Sequence, residues 1–204
     1  TKHAEKAGAD AALLITPYYN KPTQQGLYEH YKTVADEVGI PIFLYNVPGR
    51  TSVNMLPETV ARLSGIKNIV GIKEATGNLQ QISDCIEMSR KGFIILSGDD
   101  FTTLPTLSIG GHGVISVTAN VAPRMVSDMV NLHFAGKIQE ALEMHFKLQA
   151  LHRAMFIETN PIPVKTALSM MGMMREEFRL PLVKMSEGNR NKLKDTLKGY
   201  MLVK

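Results

Sequence analysis

A single cysteine, Cys85, stands among 204 residues, so no internal disulfide can form and the chain suits a reducing compartment. No apolar run approaches the roughly 18 residues of a membrane span. The opening TKHAEKAGAD has charges but no apolar stretch or small-residue cleavage site, so it does not read as a secretory signal. Cytoplasm is the expected location. No GxGxxG opens a helix after the first strand-like run, which disfavours a dinucleotide-binding sheet. Metal-ligand spacing is also missing: His145 and His152 stand seven apart, and no HExxH or second cysteine accompanies them. Structural roles are expected for both. The net charge of +4 lacks the company that nucleic-acid binding needs. Its excess lies late, in Lys184, Arg190, Lys192, Lys194, Lys198 and Lys204, with no interleaved aromatics and no RNP-like or zinc-finger spacing. Leu193, Leu197 and Met201 recur there at i, i+4, i+8, one apolar face of a solvated amphipathic helix.

What is present is an ordinary globular composition, 44% hydrophobic and 21% charged, enough for one sizeable core. Continuous apolar runs at 11–16, 42–47, 69–75, 93–98 and 113–118 read as strands. Helical patterns follow them at 24–38, from Pro57, at 79–89, 101–109 and 123–135. Apolar strands without alternation are those of a parallel sheet covered by helices. Five βα repeats of about 25 residues predict a (β/α)8 barrel or a doubly wound sheet. The expected organisation is a partial barrel over 1–136 and a helical region over 137–204. A barrel needs eight repeats and about 250 residues. Thr1, with no Met before it and inside what reads as a helix tail over 2–7 ended by Gly8, implies processing or truncation. An open five-strand sheet is expected to associate through its edges and apolar inner face.

In such folds chemistry gathers where strands end. The five runs end in TPYYN, YNVPGRT, Lys73 with Glu74 and Thr76, SGDD, and Ser116 with Thr118. Lys73 ends the apolar run IVGI. Desolvation there favours the neutral amine, which can attack a ketone and form a Schiff base. An ion pair with Glu74 is the structural alternative, made awkward because adjacent strand residues face opposite sides. Tyr45 offers a proton-shuttling hydroxyl or a core ring. Arg50, in the GRT loop, offers a fork for a carboxylate or a solvated charge. Tyr18 and Tyr19 can anchor a turn. One of Asp99 and Asp100 is expected to cap the following helix rather than hold a metal. His112 reads as a turn residue, and the Met170–Met174 run as core filler.

TPYYNKP, YNVPGRT, GIKEATGN, LSGDD, GGHGVISVTAN and NPIPVK, in this order, closely resemble the dihydrodipicolinate synthase (4-hydroxy-tetrahydrodipicolinate synthase) family. The resemblance runs through nearly all of the chain. It implies the last five βα repeats of a (β/α)8 TIM-type barrel plus C-terminal helices, and a lyase that condenses pyruvate with L-aspartate 4-semialdehyde in lysine biosynthesis. It further implies that Lys73 forms the pyruvate imine, so that no separate cofactor or metal is needed. By the same resemblance Tyr45 relays protons and Tyr19 enters a neighbouring subunit's site. Arg50 would hold the semialdehyde carboxylate, Gly98 and Ile115 would line the pocket, and Tyr18 would lie at a lysine-regulatory position. The implied assembly is a homo-oligomer, a dimer of dimers, without nucleic-acid or membrane partners. Two alternatives stand beside it: a neuraminate or keto-sugar acid lyase of the same superfamily, whose similar tyrosine motif lacks an arginine at the place of Arg50, and a non-catalytic fragment or interaction module.

Overall fold

Five parallel strands pair in the order in which the chain makes them: β1 (Ala12–Ile15), β2 (Ile42–Asn46), β3 (Ile69–Glu74), β4 (Ile94–Ser97) and β5 (Gly113–Val114). The computed structural model describes all 204 residues. Consecutive order without a reversal is that of a (β/α)8 barrel rather than a doubly wound sheet. The register aligns Ile15 with Tyr45, Tyr45 with Lys73 and Lys73 with Leu96 along one face. The other face carries Ile42, Leu44, Ile72 and Ile95, all essentially buried.

Helices cover that second face. The first, α1 (Lys2–Lys6), is short and is tied to the segment before β2 by Glu5, whose Oε1 accepts from Gly39 N at 2.7 Å. α2 (Gln24–Asp36) starts at Thr23, whose hydroxyl accepts from Gly26 N, and it buries Leu27 and Tyr31. A single helical turn, α3 (Pro48–Thr51), leads to α4 (Pro57–Ser64), where Pro57 stands in the first turn. α5 (Leu79–Met88) is capped by Asn78, and α6 (Thr103–Ser108) follows β4. Leu27, Tyr31, Val60, Leu63, Ile82 and Cys85 form one core with the helix-side strand residues. At about 25 cal/mol per Å² of apolar surface removed from water, this burial is the main force holding helices to sheet.

The structure divides into two compact units, Thr1–Ile115 and Ser116–Lys204. The second is helical: α7 (Pro123–Phe134), α8 (Ile138–Met155), α9 (Ile162–Met170) and α10 (Glu187–Gly199). α10 is tied down at its start by Glu158, which accepts from Ser186 N, Ser186 Oγ and Asn189 Nδ2. No helix is long and apolar enough to cross a membrane.

Three local expectations are corrected. The fifth strand stops at Val114 instead of continuing to 118, because Ser116 Oγ accepts from Ala119 N and a 3₁₀ turn spans Thr118–Asn120. The apolar face of α10 consists of Leu193 and Leu197, both fully buried. Met201 lies past the helix end at a φ of 56° and is 90% exposed. Arg50 sits in the helical turn α3 rather than in an irregular loop.

Candidate active site

Lys73 is the penultimate residue of β3 and points to the face away from the helices. Its Nζ lies 4.2 Å from the centre of the Tyr45 ring, which the register sets beside it. Burial lowers the Lys73 pKa below the ordinary lysine value; the carboxylate of Asp100 works against that shift, and the Arg50 guanidinium adds to it. Burial also raises the Tyr45 hydroxyl, with Arg50 opposing. The strand end therefore holds an amine biased towards its neutral form beside a phenol biased towards its protonated form. That is the pairing needed for an amine to add to a carbonyl while a hydroxyl moves protons.

Gly98 sits against this lysine. Its N–H donates to Glu74 O at 2.7 Å, and a Cβ built on it would lie 3.0 Å from both Cγ and Cε of Lys73 and 2.7 Å from Ala75 Cβ. Only a residue without a side chain leaves Lys73 its course along the sheet. Ile115 is placed beside the same strand end by its N–H, which donates to Ser97 O at 2.9 Å, and it is 37% exposed. Lys73, Tyr45, Gly98 and Ile115 thus gather at one end of the sheet, with the charge of Arg50 within electrostatic reach. Tyr18 and Tyr19 do not join this cluster. They project into solvent beyond β1, at 61% and 91% exposure.

The remaining polar residues take structural roles. Asp99 Oδ2 accepts from Thr102 N and Thr102 Oγ1, capping the turn before α6. His112 Nδ1 accepts from Ile95 N at the entry to β5. In the second unit, His152 is buried with Nδ1 2.8 Å from Thr118 Oγ1. No group of three or more His, Cys, Asp or Glu side chains converges as a metal site. The Cys85 thiol is pushed up to about 12 by burial, which makes it inert at neutral pH.

Two residues carry more than their sequence signal suggested. Asp100 is buried, and its charge favours the protonated form of Lys73. Glu74 makes no ion pair with Lys73; it faces the helix side, where Asn46, Thr76 and Gln81 bind it. Strand alternation pointed to that separation, but the partners come from elements far apart in the chain.

Sequential parallel order, helices on one face and polar groups at the strand ends define a protein of the (β/α)8-barrel class. Residues 1–200 match the Dihydrodipicolinate synthetase family, and the chain belongs to that family. It is 60% identical over all 204 residues to the 4-hydroxy-tetrahydrodipicolinate synthase of Thermodesulfovibrio yellowstonii, covering 70% of that protein. The crystal structure of dihydrodipicolinate synthase from Thermotoga maritima superimposes with a TM-score of 0.97 at 48% identity, over 99% of this chain and 70% of that one. A chloride-inhibited dihydrodipicolinate synthase from Acinetobacter baumannii, crystallised with pyruvate, gives 0.96 at 46% identity, over 100% and 70%.

Proposed function

We propose that the chain carries the imine-forming centre of a 4-hydroxy-tetrahydrodipicolinate synthase, a lyase joining pyruvate to L-aspartate 4-semialdehyde. The observation that carries the reading is the amine of Lys73, partly desolvated, lying 4.2 Å from the centre of the Tyr45 ring at a strand end. Its support is the identity of 60% to a named synthase and the pyruvate complex of a related enzyme.

In this reading the neutral Lys73 amine attacks C2 of pyruvate. The new C–N bond forms as the carbonyl electron pair moves to oxygen. Tyr45 relays the proton that lets water leave, giving the imine, which serves as the electron sink, so no separate cofactor is required. Loss of a C3 proton yields an enamine, and its C3 attacks the aldehyde carbon of the semialdehyde. Arg50 grips that substrate's carboxylate with two parallel hydrogen bonds. Gly98 leaves room along the Lys73 side chain, and Ile115 borders the adduct. Tyr19, exposed beyond β1, reaches into a neighbouring copy's site in a homo-oligomer, with Tyr18 at a lysine-responsive position. Arg50 favours the synthase over a keto-sugar acid lyase, as do the named relatives.

Borohydride trapping tests the proposal. With saturating pyruvate, a reduced adduct is expected on the peptide containing Lys73, and K73A should abolish it. An unmodified peptide in the parent protein refutes the reading. Supplying aspartate semialdehyde or neuraminate then separates synthase from lyase.

A further inference from the structure

Behind the Tyr45–Lys73 pair, on the helix-covered side of the sheet, lies a carboxylate bound only by neutral donors. Glu74 is fully buried. Thr76 N donates to its Oε1 at 2.8 Å, while Asn46 Nδ2 at 2.9 Å and Gln81 Nε2 at 3.5 Å donate to its Oε2. Burying an ion without a counter-charge is costly, and a carboxamide or apolar side chain would fill the space for less. Burial raises the Glu74 pKa, and the hydrogen bonds from Asn46, Thr76 and Gln81 oppose that shift by favouring the ionised form. What that form adds is polarity, because both its oxygens can only accept.

That polarity decides the orientation of one amide. With Nδ2 drawn to Glu74, and also donating to Asn54 Oδ1 at 2.9 Å, Asn46 turns its Oδ1 to accept from Met55 N at 3.0 Å. A single side chain thereby closes both ends of the segment from 46 to 55, which carries Arg50. Gln81 extends the lock, donating to Asn54 Oδ1 at 3.0 Å and accepting from Asn54 Nδ2 at 2.9 Å. Asn46 and Glu74 are register partners, one step along from Tyr45 and Lys73.

We propose that Glu74 is a positioning residue of the condensation, orienting Asn46 and through it the Arg50 turn and the alignment of Tyr45 with Lys73. The inference rests on the function proposed above. An amide at 74 sets a donor against either Thr76 N or the Asn46–Gln81 pair, whichever way it turns, and so frees the Arg50 segment.

The test compares E74Q with N46D/E74Q in the 204-residue chain. In the double variant the polarity is exchanged: the new amide donates to the new carboxylate, which still accepts from Met55 N. The paired amides of Asn54 and Gln81 turn over together, so that Asn54 Nδ2 donates to that carboxylate and Gln81 Oε1 accepts from the new amide. For E74Q, kcat/KM for the condensation should fall roughly tenfold to a hundredfold in a folded protein, as expected for misplaced groups, and N46D/E74Q should regain most of it. Parental kcat/KM in E74Q, or a loss that the folded double variant does not recover, overturns the proposal. Should E74Q not fold, the double variant alone decides, since it must approach parental activity.

A substrate-free readout keeps this separate from the functional reading. Competitive acylation of Lys73 across pH reports its titration. Displacing Arg50, whose charge lowers the Lys73 pKa, moves that titration to higher pH in E74Q, whereas mere loss of the Glu74 charge moves it lower. An upward shift in a protein whose parent forms no imine sinks the function and keeps the positioning role. An unchanged or downward shift overturns the positioning role.

Discussion

At the scale of single residues, the reactive end of the sheet depends on an unfavourable placement. Lys73 has a folded pKa below its unfolded one because burial disfavours its charge. Between those two values the unfolded chain binds the additional proton, so stability rises with pH in that window. The penalty is therefore full below the folded pKa and is relieved as pH climbs through it towards the ordinary lysine value. Lys73→Met is expected to be inactive in imine trapping yet more stable than the parent near neutral pH. Its advantage should shrink at alkaline pH. Urea unfolding at about pH 7 and about pH 10 checks this, and an advantage that is equal or larger at the higher pH contradicts it. The nearby Asp100 carboxylate tempers the penalty without removing it.

Among the elements, β3 is the strand on which both faces converge, and Gly71 shows how tightly it is held. A Cβ at that position would lie 2.5 Å from Phe43 Cε1 and 2.6 Å from the backbone oxygen of Ile94. Phe43 can turn, but the β4 backbone cannot yield without parting the ladder. Gly71→Ala is expected to cost about 3 kcal/mol, in the range of overpacked cores, and to lower the midpoint of thermal unfolding. An unchanged midpoint would show that the strands can separate freely. Much of this level was legible beforehand. Runs such as IFLY and IVGI carry no charge on either face, and Thr23, Asn78 and Pro57 mark helix starts by local chemistry alone. Local chemistry failed where a distant or side-chain partner decided the outcome. Ser116 turned the fifth strand aside, and Met201 continued a periodicity that the helix no longer followed. The grouping of Lys73, Tyr45 and Gly98 was readable because each lies at a strand end, where topology does the gathering. Glu74 was not, since its meaning depends on Asn46 and Gln81, which only folding brings to it.

For the whole molecule, the face of the sheet away from the helices decides behaviour in solution. Leu13 and Ile15 on β1 are 45% and 41% exposed, and Ile115 is 37% exposed. Apolar side chains in a row along an edge strand, paired on one side alone, favour self-association. Sedimentation velocity is expected to show a concentration-dependent species larger than 22.5 kDa, and a Leu13→Ser, Ile15→Thr variant should shift it towards the monomer. A monomer at every concentration would show that these side chains are shielded in solution. The alternation of β3 has a last consequence, for insertions and deletions. Lys73 and Glu74 are neighbours assigned to opposite sides, and the ladder with β2 steps from Ile42–Ile69 to Phe43–Gly71, so Val70 is a bulged residue that the alternation does not count. Removing Val70 would leave Lys73 beside Tyr45 and Glu74 beside Asn46, whereas inserting one residue between Ile72 and Lys73 would exchange them, sending the amine into the helix-side core and the carboxylate to the open end. Length changes past that bulge should therefore be tolerated only in pairs, a rule of parity that no substitution scan would reveal.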